Sequence, residues 1–499
     1  MKKKQIKKWM TAAAIMALTI SLTACGRNSN SASNQTVDEN GITETDGAGE
    51  KPGFGNGQTP PDKPDGKMPG NPPDGNAPGN PPDGGMGGGF GGGSSSADID
   101  YTGATEITAA DSQSGQIYAS STADESALLI STSDAVTVTN PVVTKTGDSD
   151  GGDNCNFYGL NAAVLVKDGS TATITGGTIT SDADGANGVF SYGGNGGQNG
   201  ASGDGTTVII SDTAITTTGD GSGGIMTTGG GVTKASNLTV TTSGRSSAAI
   251  RTDRGGGTVT VDGGTYTTNG LGSPTIYSTA DITVANATLV SNLSEGVCIE
   301  GKNSITLTDC NLTANNTKCN GNATFLDSIM IYQSMSGDAD SGTSSFTMTG
   351  GTLTSKSGHV FHVTNTNAVI NLSGVKIIDE DSANVLLSVC DDGWSGASNI
   401  ATLNADGQEL AGDILVGSDS ELTLNLTNAT QFTGSVTGTI TNAGGASVST
   451  QVGTVAVKLD ATSTWTLTAD SYVTSFDGDV SNVITNGYTL YVNRTTLTK

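Results

Sequence analysis

From about residue 98 onward, apolar and polar residues alternate over short runs, and almost no stretch has the 3.6-residue period of an amphipathic helix. The runs are rich in Val, Ile and Thr and are interrupted by Gly, Asn and Asp. One phrase recurs: two or three alternating apolar residues, a four-residue break, and one further apolar residue, which in most copies precedes Thr or Ser. This pattern predicts short β-strands joined by tight turns, and therefore an all-β protein.

The recurring phrase gives the chain a period. The apolar residues just before the break are Val138, Ile174, Ile210, Ala235, Val261, Val284, Leu307, Met348 and Leu372. Their partners, five residues further on, are Val143, Ile179, Ile215, Val240, Tyr266, Leu289, Leu312, Leu353 and Ile377. Successive copies lie 36, 36, 25, 26, 23, 23, 41 and 24 residues apart, so the short steps define one unit and the long steps carry loops. Such spacing predicts a β-solenoid whose coils stack about 4.8 Å apart.

This region resembles the right-handed parallel β-helix of pectate lyases, polygalacturonases and bacterial surface adhesins. The resemblance lies in the coil period and in the sequence pattern of apolar residue, turn and apolar residue. The resemblance implies a right-handed parallel β-helix, a single-stranded β-solenoid, over residues 97–400. Segments 422–426 and 488–491 still have the pattern of strands, which predicts C-terminal coils and a cap over residues 401–499. Motifs of this kind indicate a fold and leave the activity open.

Two segments precede the repeat. Residues 1–24 contain five lysines followed by an apolar stretch, which is typical of a secretory signal peptide. The sequence Leu22-Thr23-Ala24-Cys25 resembles the bacterial lipobox, which implies a lipid on Cys25 and attachment to the extracellular face of the cell membrane. Residues 25–96 contain ten of the 12 prolines and many glycines, which predicts a disordered tether.

Charge excludes one class of partner. The chain has 22 basic and 48 acidic residues, a net charge of −26, and removal of residues 1–24 would leave 17 basic residues and a net charge of −31. Nucleic-acid phosphates would be repelled, so we expect no nucleic-acid partner. Apart from Cys25 there are five cysteines, whose spacing matches no metal-binding pattern. Cys310 and Cys319 are a plausible disulfide pair, and buried free thiols are the alternative.

A second strand precedes each recurring phrase, and its second and fourth residues should point outward. The outward columns are Phe190, Met226, Arg251, Tyr277, Cys298 and Met330, and beside them Tyr192, Thr228, Asp253, Thr279, Glu300 and Tyr332. Aromatic rings stack on sugar faces, while Arg and carboxylates bond to hydroxyls. The candidate carbohydrate-binding residues are Arg251, Asp253, Tyr277, Glu300, Tyr332 and Trp394. The alternative is that these side chains are only the ordinary outer face of a strand. The insertions around 192–205 and 314–345 are expected to determine which outward column is covered.

Other candidate sites are an acidic loop and two histidines. Asp148, Asp150 and Asp153 alternate with small residues, an arrangement of oxygen ligands that suits Ca²⁺, although a solvated turn is the alternative. His359 and His362 are three residues apart on a strand and are expected to face opposite sides in structural roles.

These patterns favour a surface-anchored, non-catalytic protein that binds an extracellular polysaccharide or another cell surface, with Ca²⁺ as its one expected cofactor. No catalytic residue is assigned. One alternative is a polysaccharide lyase or glycoside hydrolase acting on pectin-like polymers, in which the resemblance to pectate lyases would make Arg251 the base. The other alternative is a structural rod without a small-ligand site.

Overall fold

The computed structural model describes residues 99–196 and 202–497. The predicted signal peptide, the lipid on Cys25 and the tether lie outside the described residues and stay predictions. Within these two described ranges, the structure contains no helix with the length and apolar character needed to cross a membrane.

The fold is a parallel β-helix, as the sequence predicts. Strands are numbered β1–β46 in chain order, and in the regular coils each strand pairs in parallel with the third strand after it. Sheet 1 consists of β1 (Thr102–Ile107), β4 (Glu125–Ser131), β7 (Val164–Lys167), β10 (Val189–Tyr192), β13 (Ile225–Thr228), β16 (Ile250–Thr252), β19 (Ile276–Ser278), β22 (Val297–Glu300), β25 (Asp327–Tyr332), β28 (His359–Thr364), β31 (Val385–Val389), β34 (Asp413–Val416) and β37 (Val436–Thr437).

Two further long sheets complete each coil. Sheet 2 consists of β2 (Asp111–Ser114), β5 (Ala135–Thr139), β8 (Thr171–Thr175), β11 (Thr207–Ser211), β14 (Gly231–Ser236), β17 (Gly257–Asp262), β20 (Asp281–Ala285), β23 (Ser304–Thr308), β26 (Thr343–Thr349), β29 (Asn367–Ser373), β32 (Asn399–Asp406), β35 (Ser420–Thr427), β40 (Thr454–Leu459) and β43 (Ser475–Asp477). Sheet 3 consists of β3 (Ile117–Ser120), β6 (Val142–Lys145), β9 (Thr178–Ser181), β12 (Ala214–Thr217), β15 (Thr239–Thr242), β18 (Thr265–Thr268), β21 (Thr288–Ser291), β24 (Asn311–Ala314), β27 (Thr352–Ser355) and β30 (Lys376–Asp379).

The remaining elements are short. A four-stranded sheet consists of β33 (Glu409–Ala411), β36 (Gln431–Thr433), β41 (Thr464–Thr466) and β44 (Val483–Ile484). The antiparallel hairpin consists of β38 (Thr439–Thr441) and β39 (Ser447–Thr450), and a last sheet of β42 (Ser471–Val473), β45 (Leu490–Val492) and β46 (Thr495–Thr496). Helix α1 (Asp153–Tyr158) lies between β6 and β7, and a 3₁₀ helix spans Val480–Asn482.

The recurring phrase is confirmed residue by residue. Val138 of sheet 2 pairs with Ile174, and Ile174 pairs with Ile210, so the residues before the break form one stacked column. Their partners form a second column in sheet 3, in which Val143 pairs with Ile179. Both columns form part of one continuous core and are buried, except that Ile377 at the end of the second column is partly buried. The periodic apolar residues of the sequence therefore form the inward faces of sheets 2 and 3.

The break itself is a tight turn between these two sheets. The second residue of the break, the first after the strand of sheet 2, has a positive φ between 49° and 72°, at Asn140, Gly176, Asp212, Asn237, Gly263, Asn286, Asp309, Gly350 and Gly374. The same conformation recurs at Gly407 and Asn428, where the turn leads from sheet 2 to the four-stranded sheet. Gly, Asn and Asp tolerate this left-handed conformation best, which explains the residues of the break. Side chains at the turns also bond between coils, since Asn237 Nδ2 donates to Asp212 Oδ1 at 2.6 Å.

This geometry predicts the effect of one substitution. Gly264 is the third residue of its break, has a φ of 95°, and would place an added Cβ against the backbone carbonyl and N of Leu238. Gly264→Ala is therefore expected to lower the free energy of unfolding by about 2–3 kcal/mol, measured by urea denaturation. Gly263→Asn is the matched control, because Asn occupies the equivalent position in neighbouring coils; its effect should stay within about 0.5 kcal/mol. Equal effects of the two variants would contradict this account.

The outward faces of sheets 2 and 3 are rich in threonine and asparagine. In sheet 2 one column continues from Thr347 through Asn371 and Asn404 to Asn425. Its side chains bond to one another, with Asn404 Nδ2 donating to Asn371 Oδ1 at 2.8 Å and Asn425 Nδ2 to Asn404 Oδ1 at 2.7 Å. This face is a regular polar surface.

The outward face of sheet 1 is different because insertions cover it. The predicted column is confirmed in register, with Met226 paired to Arg251 and Arg251 paired to Tyr277. Towards its start, Phe157 and Tyr158 of α1 pack on Phe190. The side chains in this column are consequently buried or partly buried, and the loops decide which of them remain accessible.

Of the two possibilities that the sequence left open for Cys310 and Cys319, the structure shows free thiols and no disulfide. All five cysteines in the described part of the chain are free thiols, including Cys310 and Cys319. Cys310 is buried beside a turn, where its Sγ donates to the backbone carbonyl of Val284 at 3.4 Å. Cys310 therefore fits the alternative of a small buried thiol.

Candidate functional site

A cavity of about 440 Å³ lies on the outward side of sheet 1. Its floor comes from strands of sheet 1, and its walls come from α1 and from the loops at residues 315–326, 333–342 and 390–398. This volume falls within the range of small-molecule sites in proteins. We call it the sheet-1 cavity.

All six candidate carbohydrate-binding residues line this cavity; they are Arg251, Asp253, Tyr277, Glu300, Tyr332 and Trp394. Five of them come from or directly follow neighbouring strands of sheet 1, where the parallel register places equivalent positions in successive coils next to each other. Trp394 is brought in by loop 390–398. The structure thus groups the candidates, while their role in binding remains a proposal.

Arg251 and Asp253 form a buried ion pair at one side. Arg251 Nη2 lies 2.5 Å and its Nε 3.1 Å from Asp253 Oδ2. The Arg251 Cζ atom is 5.5 Å from the centroid of the Tyr277 ring. Burial alone would lower the pKa of Arg251. The charge of Asp253 outweighs this effect, so the pKa is raised and the guanidinium stays charged. For the acidic partner, Asp253, burial has the opposite sign and raises the pKa to about 6.

A second ion pair closes the rim. Arg254 donates from Nε and Nη2 to Asp338 Oδ1, at 3.0 and 2.6 Å. Its Cζ lies 4.1 Å from the ring centroid of Phe157 in α1. This arginine therefore links loop 333–342 to the helix on the opposite wall.

Glu300 lies at the centre of a hydroxyl cluster. Its Oε2 accepts hydrogen bonds from Tyr277 and, at 3.2 Å, from Tyr332, while its Oε1 accepts from Ser334 and, at 3.4 Å, from Ser336. Burial nevertheless raises the pKa of Glu300. Burial and the neighbouring carboxylate raise the pKa of both tyrosines well above the ordinary value, so both remain hydrogen-bond donors.

Several residues of the cavity were missed by the sequence analysis. Glu295 is buried beside it, and burial raises its pKa although Ser294 and Asn316 donate hydrogen bonds to it. Asn320 and Asp338 come from the loops. Asn320 and Asp338 lie in insertions, which cannot be aligned between coils, so the repeat carries no signal for them. Glu295 lies in the short turn before β22, outside the two strand columns that were compared.

The expectation that the two histidines face opposite sides is wrong. The Nδ1 atoms of His359 and His362 both lie 2.7 Å from Ser388 Oγ. His359 is the first residue of β28, directly after Gly358 with a φ of 76°, and the usual alternation is not yet established there. Val360 enters the core instead.

His362 also connects to Asp392 at the start of loop 390–398. Its Nε2 lies 3.3 Å from Asp392 Oδ2, close enough for electrostatic attraction although the geometry is not that of a good hydrogen bond. The other carboxylate oxygen, Oδ1, accepts from the backbone N and Oγ1 of Thr324, both at 2.7 Å, and from Gly393 N at 2.8 Å. Phe325 stacks on His362 with ring centroids 4.7 Å apart.

This network has a structural effect on the cavity. It fixes loop 315–326, which provides Asn320, and loop 390–398, which provides Trp394, to sheet 1. The chain Asp392–His362–Ser388 contains the residue types of a hydrolase triad, which the sequence analysis did not find. The two ring nitrogens are exchanged, however, because the serine lies at Nδ1 and the aspartate at Nε2. Ser388 is also completely buried, so a substrate has no access to its hydroxyl.

The structure does not gather the predicted calcium ligands. Asp148, Asp150 and Asp153 are exposed, and Asp148 Oδ1 accepts a hydrogen bond from Asp184 N at 2.9 Å. Across residues 99–196 and 202–497, no three His, Cys, Asp or Glu side chains meet in a way that could hold a metal ion. Calcium binding by this loop stays a prediction.

Comparisons of the chain with protein-family models, with curated proteins and with solved structures find no match. The parallel β-helix is therefore established by the strand pairing alone. A fold of this kind hosts many activities, so function has to be argued from the cavity.

Proposed function

We propose that this protein binds saccharides non-catalytically in the sheet-1 cavity. The observation that carries the proposal is the convergence of six side chains of sugar-binding type on one concave site of about 440 Å³. With the predicted signal peptide and lipid on Cys25, the ligand would be an extracellular polysaccharide or the glycan surface of another cell.

The lining combines the two kinds of contact that sugars require. Tyr332 and Trp394 pack together with ring centroids 4.9 Å apart and offer apolar surface. Arg251, Asp253 and Glu300 offer charged hydrogen-bonding groups held in place by their neighbours. Buried polar groups fixed in this way give specificity, while the rings contribute most of the apolar contact area.

One observation favours the enzyme alternative. Glu300 and Glu295 are buried carboxyl groups with raised pKa values in the same cavity, which is a common property of general acids. The lyase mechanism that relies on Arg251 as base is disfavoured, because Asp253 holds that guanidinium in its charged form. Product analysis distinguishes the functions: shortened or unsaturated oligosaccharides, lost in Glu300→Gln, would establish catalysis.

Binding should depend on the ring of Trp394. Trp394→Ala is expected to weaken saccharide binding about tenfold, because stacking area is lost at an only partly buried position. Titration calorimetry with ligands selected on a glycan array measures the change. Tyr488→Ala removes an exposed aromatic ring outside the cavity and is the control, with no expected change.

A different result would support the structural or adhesive alternative. If the protein is retained on insoluble polysaccharide equally well with and without Trp394, the regular threonine- and asparagine-rich faces of sheets 2 and 3 carry the interaction. Failure to bind any member of a broad glycan panel, with or without Ca²⁺, would contradict the proposal.

A further inference from the structure

The charges around the sheet-1 cavity are unbalanced. Among the described residues, five carboxylates line it but only one cation, Arg251. The carboxylates belong to Asp153, Asp253, Glu295, Glu300 and Asp338. Arg251 pairs with Asp253, and Arg254 reaches Asp338 from outside the lining. Three carboxylates therefore remain without a cation in the described structure.

The two arginines show how this site accommodates a cation. Arg251 contacts one carboxylate, Asp253, and has its guanidinium over the ring of Tyr277. Arg254 repeats this arrangement with Asp338 and Phe157. Each cation thus has one acidic and one aromatic partner, the combination that stabilises a partly desolvated positive charge.

A third set of acidic and aromatic partners lacks a cation. Glu300 is buried among Tyr277, Tyr332 and the adjoining Trp394, and its hydrogen-bond donors are hydroxyl groups. Within the described residues neither Glu300 nor Glu295 takes part in an ion pair, although both line the cavity. A buried carboxylate with only neutral partners attracts an external cation.

We infer that the ligand is a saccharide bearing a free amino group, such as an oligomer of glucosamine. This inference rests on the proposed saccharide-binding function. Its ammonium group binds beside Glu300 and Glu295 and against the tyrosine rings, while its hydroxyl groups contact the remaining polar lining. A uronic-acid polymer brings carboxylates instead of ammonium groups into this acidic cavity and is repelled, so acidic pectin-like chains are poor ligands.

Three oligosaccharides of equal length test the inference: glucosamine, N-acetylglucosamine and galacturonic acid oligomers. Calorimetry with the full chain near pH 7 and about 0.15 M salt should show the glucosamine oligomer binding about tenfold more tightly than the acetylated one, and the galacturonate oligomer most weakly. Equal affinity for the amine and the acetamide would overturn the inference and leave the proposed function standing. Absence of binding by every saccharide would overturn the proposed function itself.

Variants assign the effect to the carboxylate. Glu300→Gln should reduce the ratio of glucosamine to N-acetylglucosamine affinity about tenfold, because it removes the charge and keeps the size. Glu421→Gln, on the exposed face of β35, is the matched control and should leave the ratio unchanged. Thermal unfolding of both variants verifies that they fold. A ratio unchanged in folded Glu300→Gln would contradict the role of this carboxylate.

The pH dependence provides a readout that does not require a variant. Burial raises the pKa values of Glu300 and Glu295, so both carboxyl groups gain a proton at a higher pH than an exposed carboxyl group does. Below about pH 6, where an amine of ordinary pKa is already fully protonated, glucosamine affinity should fall as the pH falls, whereas the affinity of the uncharged acetylated oligomer should change little. Parallel pH profiles for the two ligands would overturn the inference.

Discussion

Asp392→Ala is expected to lower the free energy of unfolding by about 3–5 kcal/mol. The carboxylate is buried, and its removal deprives Thr324 and Gly393 of the acceptor for their backbone N–H groups. It also leaves His362 without its acidic neighbour inside the structure. Since Asp392 joins two loops to sheet 1, both cavity walls should loosen in the variant, and saccharide binding should be lost with them.

Urea denaturation and limited proteolysis measure this effect. Cleavage within residues 315–326 should accelerate in the variant, because Thr324 no longer has its anchor. Asp391→Ala is the neighbouring control: this carboxylate accepts one bond from Asn399 at 2.6 Å near the surface, and its loss should cost about 1 kcal/mol or less. If the two variants were equally stable, the proposed role of the Asp392 network would be wrong.

Strong acid should reproduce the loss of stability that is expected for Asp392→Ala. Burial raises the pKa of Asp392, but the His362 ring and the hydrogen bonds from Thr324 outweigh it and hold the pKa below its ordinary value of 3.8. A carboxyl group with a lowered pKa stabilises the fold above its ordinary pKa and loses that contribution as the pH falls through the folded value. The network is therefore intact at neutral pH and weakens only in strong acid.

The regular part of this molecule could be predicted because the parallel stack repeats it. Val138 and Ile174 have the same neighbours in successive coils, so one turn of the pattern predicts the next. The same reasoning placed Arg251 next to Tyr277 in an outward column, and the register confirms it. Sequence alone could therefore indicate which strand residues meet at the cavity.

The irregular parts could not be predicted in this way. Asp338 and Trp394 belong to loops that occur once, so no second copy indicates where they fold. The contact of His359 with Ser388 depends on a local departure from strand alternation after Gly358. Alternation also says that a residue points outward without saying whether a loop covers it, which is why burial of the sheet-1 column required the structure.

Asp327→Asn is expected to have the opposite effect to Asp392→Ala and to stabilise the protein. Asp327 is only 1% exposed, and its Oδ1 lacks a hydrogen-bond partner among the described residues. Burial, together with the charges of Glu295 and Asp392, raises its pKa well above 3.8. Near pH 8 the buried group opposes folding whether it ionises without a partner or has to take up a proton, and replacing it with a neutral amide should raise the free energy of unfolding by about 2 kcal/mol.

The sign of the pH dependence makes this prediction specific. A carboxyl group with a raised pKa binds its proton more tightly in the folded state, so its favourable contribution is complete below 3.8 and is lost as the pH rises through the folded value. The gain from Asp327→Asn should consequently be larger near pH 8 than near pH 5 in urea denaturation. Asp419→Asn, at an exposed turn, is the control and should give no gain at either pH. A gain independent of pH would show that relief of buried charge is not its cause, whereas a gain that grows with pH would show that the ionisable form of Asp327 is what opposes folding.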